Sequence, residues 1–364
     1  MATHDYDIAN QSGAAFRTDL NNALSAIATN NSNSSDPSTT FASQYFANTS
    51  TGIMRLRNTA NNDYVNLFTL AGGPAFSVDG TINSVNIGKG ANSVAGNTVL
   101  GENALDASVS GGNNVAIGKE ALTALTSGVS NVAVGSGALL TNTTTSNNTA
   151  VGHQTLKLNS SGSSSVAVGF EALKVNTSGA SNVAVGSGAL DANTTASNNT
   201  AVGRDSLGAN TTGTQNTAVG TNAADAVETS NNHVAVGFNS LSANTTGEKN
   251  TAIGSGSLVA NTTGEKNVAV GYVALEANTT GSNNVAVGEN CLPDNNASNN
   301  TAVGMQSMRF NSSGANNVAV GDASLAANTT ASNNTAVGHE SLAANTTGTK
   351  NTALGANTLD AAQT

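Results

Sequence analysis

Asn283 to Asn290 read NNVAVGEN, and nearly the same phrase, SNVAVGSG, stands at Ser130 to Gly137 and again at Ser181 to Gly188. The glycine that closes the phrase recurs at Gly101, Gly118, Gly135, Gly152, Gly169, Gly186, Gly203, Gly220, Gly237, Gly254, Gly271 and Gly288, always 17 residues apart. One step of 16 leads to Gly304, and Gly321, Gly338 and Gly355 restore the spacing of 17. A fixed period of this length marks a solenoid, in which each repeat packs only on its neighbours.

One unit, NVAVGSGALLTNTTTS (Asn131 to Ser146), shows how a coil is written. Val132 and Val134 alternate with Ala133, the period of two that belongs to a strand. Gly135 then supplies a sharp turn. A second extended stretch is expected after it, with apolar residues at the fourth and sixth places, as in Leu173 and Val175 or Leu190 and Ala192. Polar segments such as NTTGEKN (Asn244 to Asn250) close the coil with residues that favour bends. The predicted fold is all-β: a parallel β-roll, or β-solenoid, of 17-residue coils, each with two short strands and two turns. In the coil of Gly271 the expected inward side chains are Val268, Val270, Leu275 and Ala277. Asn182, Asn216, Asn250, Asn267 and Asn284 recur once per coil, so their amides are placed to hydrogen-bond up and down the roll. Counted from Gly88, the column glycines give a rod on the order of 80 Å long at about 4.8 Å per coil.

Two residues before the glycine the chain places alanine in fifteen consecutive coils: Ala116, Ala133, Ala150, Ala167, Ala184, Ala201, Ala218, Ala235, Ala252, Ala269, Ala286, Ala302, Ala319, Ala336 and Ala353. If the flanking valines point inward, these alanines point outward. Restriction to so small a side chain then implies close approach of another surface, met by three identical rolls around a three-fold axis. The column is therefore the candidate trimer interface.

The first eighty residues are written differently. GAAFRTDLNNALSAIATN places Phe16, Leu20, Leu24 and Ile27 on one helical face, suited to packing against copies of itself. Beyond it, Tyr45 to Ala47, Ile53 to Arg57 and Tyr64 to Leu70 read as a small antiparallel meander. The expected division is an N-terminal attachment module over 1–80 and a repetitive shaft over 81–364.

Composition narrows the function. Charged residues are 9% of the 364-residue chain, against about 25% in ordinary domains. The net charge is −10 and the lysines and arginines never cluster, Arg55 and Arg57 being the densest pair, so the basic stripe of a nucleic-acid binder is missing. Cys291 is the only cysteine, which rules out an intrachain disulfide. The start MATHDYDIANQSG lacks the pattern of a secretory signal, so synthesis in a cytoplasm is expected. No cofactor, metal or catalytic constellation is expected: Glu289 and Asp294 in the short coil stand without supporting groups, and calcium-binding repeats need aspartate in a fixed column. The column that follows the glycine holds His153, Phe170, Arg204, Phe238, Tyr272, Glu289, Met305, Asp322 and His339, a mixture that marks a solvent-facing edge. Phe170, Phe238 and Tyr272 in it are the candidate receptor contacts.

The phrases NVAVG and NTAVG followed by Ala-Leu resemble the head repeats of trimeric autotransporter adhesins of the YadA-like type, whose heads are trimers of left-handed parallel β-rolls. FRTDLNNALSAI (Phe16 to Ile27) and FANTSTGIMRLRNTANNDYVNLF (Phe46 to Phe68) are similar to N-terminal segments of tail-fibre proteins of marine bacteriophages, especially cyanophages. Together these resemblances imply a structural tail fibre of a virion. It would be a homotrimer, joined to other tail proteins through its N-terminal module and directed at a host surface glycan or protein, with its distal end either covered by a tip protein or touching the receptor through its own last turns. A bacterial surface adhesin without its anchor is the alternative, and an ice-binding solenoid built on threonine columns is a third.

Overall fold

The computed structural model describes residues 84–360 without interruption, together with 17–18, 20–21, 32–33, 45–51, 53–57, 64–69 and 80–82. The chain divides into two compact units, Met1–Gly80 and Thr81–Thr364.

In the first unit a four-stranded sheet is ordered β1 (Ser32–Asn33), β2 (Tyr45–Asn48), β3 (Ile53–Arg57), β4 (Tyr64–Thr69). Strands β2, β3 and β4 form the expected antiparallel meander, pairing Ala47 with Met54 and Leu56 with Val65. The β2–β3 turn is fixed by Asn48, whose Oδ1 accepts the N–H groups of Ser50 and Thr51 at 3.1 and 3.0 Å. Of the expected N-terminal helix, Arg17, Thr18, Leu20 and Asn21 are helical, with Leu20 exposed. Phe16, Leu24 and Ile27 lie outside the described residues.

The second unit is a parallel β-solenoid. Its sheet contains β5 (Gly80–Ile82), β6 (Val85–Gly88) and β7 (Thr98–Gly101). Strand β6 runs antiparallel to β7, so Gly88 does not belong to the glycine column, contrary to the count made from sequence. From β7 onward every rung is parallel and in register, Thr98 on Val115, Val115 on Val132, and so on to the rung Thr352–Leu354. The stack is thus shorter than the count from sequence by one coil, about 5 Å.

The direction in which the strands face corrects the reading of the alanine column. The fifteen alanines from Ala116 to Ala353 lie inside the roll of their own chain, fully buried in all but the last coil. They are not at a subunit interface. The flanking residues point outward instead: Val268 and Val270 are partly exposed, Ala277 is exposed, and of the four expected inward side chains only Leu275 is buried. Alanine is constant because the interior is narrow. It packs on the leucine four residues after the glycine (Leu173, Leu190, Leu258, Leu275) and on a small residue beside that leucine, such as Ala172 or Ala274, in one continuous apolar cluster.

That leucine also shows why no second strand forms. Leu173, Leu190 and Leu275 have φ of 51°, 52° and 53°, and the residues two places after the glycine and five before it are left-handed as well, as in Glu171 (58°) and Ser181 (57°). Three left-handed residues per coil fold the expected extended stretch into turns. A left-handed backbone costs about 1–2 kcal/mol at each residue other than glycine, so burying one leucine side chain, which returns about 1.5–3 kcal/mol, offsets only part of the cost of three. The turns are further held from coil to coil by backbone bonds, for example Leu173 N–H to Ala189 C=O at 3.0 Å. The column glycine meets a stricter demand. Gly135 has φ of 140°, and a methyl group there would overlap the carbonyl of Gly152 in the next coil.

Half of each interior is polar. The asparagine four residues before the glycine is buried in nearly every coil, and its Oδ1 accepts the backbone N–H of its successor: Asn114 from Asn131 at 2.9 Å, Asn182 from Asn199 at 3.0 Å, Asn250 from Asn267 at 2.9 Å. Its Nδ2 donates to a carbonyl of the next coil, as from Asn131 to Thr145 O at 2.8 Å. A second asparagine column, seven residues after the glycine, forms a side-chain ladder, Asn176 to Asn159 at 2.9 Å and Asn193 to Asn176 at 2.8 Å. Polar groups buried in this way are tolerated because nearly all find partners, the exceptions in the second column being the Oδ1 atoms of Asn210, Asn278 and Asn345.

Exceptions follow the same chemistry. Ser165 replaces the first-column asparagine, and its Oγ accepts Asn182 N–H at 3.2 Å. His233 replaces it too. Its Nδ1 accepts Asn250 N–H at 3.3 Å, which leaves the ring proton on Nε2 facing Ser230 Oγ at 2.9 Å. The short coil keeps its register, Ala286 on Ala302, because the missing residue lies in the turn between Asn295 and Asn300. There the Asn296 side chain stands in for a backbone carbonyl, its Oδ1 accepting the N–H groups of Thr279 and Thr280 at 3.1 and 2.9 Å.

Two predictions follow from this interior. Gly135→Ala should cost about 3 kcal/mol or more, whereas Gly137→Asn should be neutral, since Gly137 is left-handed, an added methyl meets only Gln154 Cγ at an ordinary 3.7 Å, and other coils carry Asn222 or Asn239 there. Urea unfolding of both variants checks this, and equal midpoints would contradict it. Burial pushes the His233 imidazole down to about 4 from an ordinary 6.5. The unfolded chain therefore takes up the proton first, so stability falls as pH drops from 6.5 to about 4, by about 3 kcal/mol in all. His233→Asn should remove that part of the pH dependence, read as the difference in urea midpoint between neutral and mildly acidic buffer. An unchanged dependence would contradict the assignment.

Candidate functional site

The residues left facing outward form two distinct surfaces. On the strand side each rung turns its first and third residues to solvent. The first column alternates valine and threonine (Val132, Thr149, Val166, Val183, Thr200, Thr217), and the second is almost wholly valine or isoleucine (Val134, Val151, Val168, Val185, Val202, Val219, Ile253). Val166, Val185 and Val219 are each 37% exposed. From Val115 to Leu354 no charged residue enters either column. With side chains of one strand about 7 Å apart and rungs about 4.8 Å apart, the result is a flat apolar stripe roughly 70 Å by 10 Å. A soluble monomer ordinarily leaves bare patches of only a few hundred Å².

Sequence reasoning missed this stripe because alternation alone has two phases. The signal that sets the phase is the exchange of valine for threonine in the first column. Such exchange is easy where a hydroxyl meets water and costly where it is buried without a partner.

The second surface is the edge beyond the column glycine. Phe170, Phe238 and Tyr272 are each more than half exposed, as the variable column led us to expect. His153 stacks on Phe170 from the preceding coil, with ring centroids 5.4 Å apart and planes 9° from parallel. Arg204 pairs with Asp205, and His339 lies 3.8 Å from Asp322. The neighbouring turns carry the exposed Phe310, with the Arg309 guanidinium 5.1 Å from its ring centre.

Reactive groups are placed unfavourably for chemistry. Cys291 occupies the small-residue position beside Leu292, where burial pushes its thiol up to about 12 and keeps it protonated. Its Sγ donates to Ala302 C=O at 3.4 Å. Glu289 and Asp294 are both exposed. Among the described residues no three His, Cys, Asp or Glu side chains gather into a group able to hold a metal ion, and no helix is long and apolar enough to cross a membrane. No protein-family model, curated protein or solved structure matches the chain.

Proposed function

We propose that this protein is a structural virion fibre of the bacteriophage tail type. Its solenoid serves as a rigid shaft of three parallel copies, and its N-terminal unit attaches that shaft to other tail proteins. The observation that carries the reading is the uncharged stripe of valine, threonine and isoleucine on the strand side. Covering it with the same stripe of a second and third copy removes apolar surface at about 25 cal/mol per Å², and isologous or cyclic contacts between identical chains are the common way to do so. The trimer contacts assigned from sequence to the alanines pass in this reading to the outward columns, with Val185, Val202 and Val219 near the middle of the stripe. The meander in the N-terminal unit and the likeness of Phe46 to Phe68 to marine phage tail fibres support attachment at that end. The resemblance of the repeats to adhesin heads supports the shaft. In the same reading the exposed edge is what meets the host surface.

A second reading uses the same face. Threonine and valine at regular spacing on a flat sheet, as in Thr149, Thr200, Thr217 and Thr251, suit an ice-binding surface, and this reading needs the stripe bare in solution.

Sedimentation equilibrium separates the two. The fibre reading predicts three times the 35.8 kDa chain mass at micromolar concentration, reduced to the single chain by combining Val202→Lys with Val219→Lys. A wild-type monomer would contradict it, and a monomer that also inhibits ice recrystallisation would establish the rival. Gold labelling of the chain in electron micrographs of virions tests the location.

A further inference from the structure

Between Phe170 and Tyr272 the edge beyond the column glycine alternates in size as well as in chemistry. Large side chains stand at Phe170, Arg204, Phe238 and Tyr272, while the rungs between them carry small ones, as at Thr221 and Ser255. Because the ladder fixes each rung at about 4.8 Å, the large groups recur about every 10 Å along the roll. Phe170, Phe238 and Tyr272 leave 53%, 56% and 57% of their surface bare. The stack of His153 on Phe170 holds one of these rings in place before any ligand arrives, which lowers the entropy lost on binding.

This period has a chemical counterpart. In an extended β-linked polysaccharide alternate sugars are flipped, so the chain repeats after two pyranose units, and that repeat has the length of two coils. Pyranose rings present C–H groups to the electron-rich faces of aromatic rings, and the small residues between leave room for the alternate sugar. Arg204 occupies one place in the series. Its guanidinium is already paired with Asp205, so it offers spare N–H donors to hydroxyl groups but little net charge. The chain as a whole carries −10, which opposes a polyanion.

We infer that the edge bearing Phe170, Arg204, Phe238 and Tyr272 binds an uncharged, extended β-linked polysaccharide lying along the roll, two sugars to every two coils. The inference rests on reading the protein as a fibre that meets a host surface, and it names the class of receptor.

Its test needs only the purified full-length chain, so it can fail while the trimeric shaft stands, and the shaft can fail without deciding it. Calorimetric titration with cello-oligosaccharides and chito-oligosaccharides of increasing length should show affinity rising with each added pair of sugars. The combined change Phe238→Ala and Tyr272→Ala should weaken binding by about tenfold, with sedimentation and melting unchanged. Amylose, α-linked and coiled, and alginate of high mannuronate content, a polyanion whose mannuronate runs are β-linked, should bind far less. The inference is overturned if neither oligosaccharide series binds, if affinity is independent of length, if the double variant binds like the wild type, or if amylose or alginate binds as well.

Discussion

Each coil buries polar side chains beside its apolar ones, and the carboxamide of the asparagine four residues before the column glycine makes that possible. Its Oδ1 takes the backbone N–H of the matching asparagine one coil on, and its Nδ2 takes a carbonyl of the next coil, as in the series Asn114, Asn131, Asn148. One side chain thereby ties two backbones together at a fixed height. The parallel register, the placing of Ala133 over Ala150, and the close approach of Gly135 to Gly152 all depend on that spacing. The replacements obey the same demand. Ser165 and His233 both present an acceptor to the following N–H. Next to His233, Val227 interrupts the second ladder, and Asn210 in the preceding coil is left with its Oδ1 unpartnered.

Much of this was legible in the sequence. The 17-residue period, the parallel roll, the meander from Tyr45 to Thr69 and the exposed edge with Phe170, Phe238 and Tyr272 could all be read from residue types and spacing. The first asparagine column was foreseen as a ladder, and amide-to-amide bonds join Asn97, Asn114 and Asn131, although most rungs bond side chain to backbone. The second column, from Asn142 to Asn345, was lost in segments that read as polar turn. Two errors have one root. The phase of the strand was chosen by giving the interior to valine, the larger apolar residue, when the narrow interior admits alanine and sends valine out. The second strand was inferred from apolar residues two apart, as in Leu173 and Val175, because nothing in a leucine announces a left-handed backbone. Only the stacking of coils, which repays the local strain with burial and hydrogen bonds, makes that conformation stable.

The functional consequence follows from the corrected phase. With alanine inside, the roll is closed to a neighbour through that column, and in the proposed fibre the contacts between copies pass to the valine and threonine stripe. The same geometry turns the corner after the glycine into a ruler, since every side chain placed there is spaced by the ladder inside. A shaft that is rigid, repetitive and uncharged on one face, with aromatic rings at regular intervals on another edge, suits a fibre that holds its recognition groups in line.

The central claim is that the interior asparagine carboxamides bear the stack, and proton exchange at those side-chain NH2 groups measures it directly. The account predicts that the carboxamide protons of Asn131, Asn182, Asn250 and Asn267 exchange as slowly as the backbone amides of Val132 and Val268, because both are released only when the coils separate. Carboxamide protons that exchange at the rate of solvent-exposed asparagines, while the backbone amides stay protected, would contradict it.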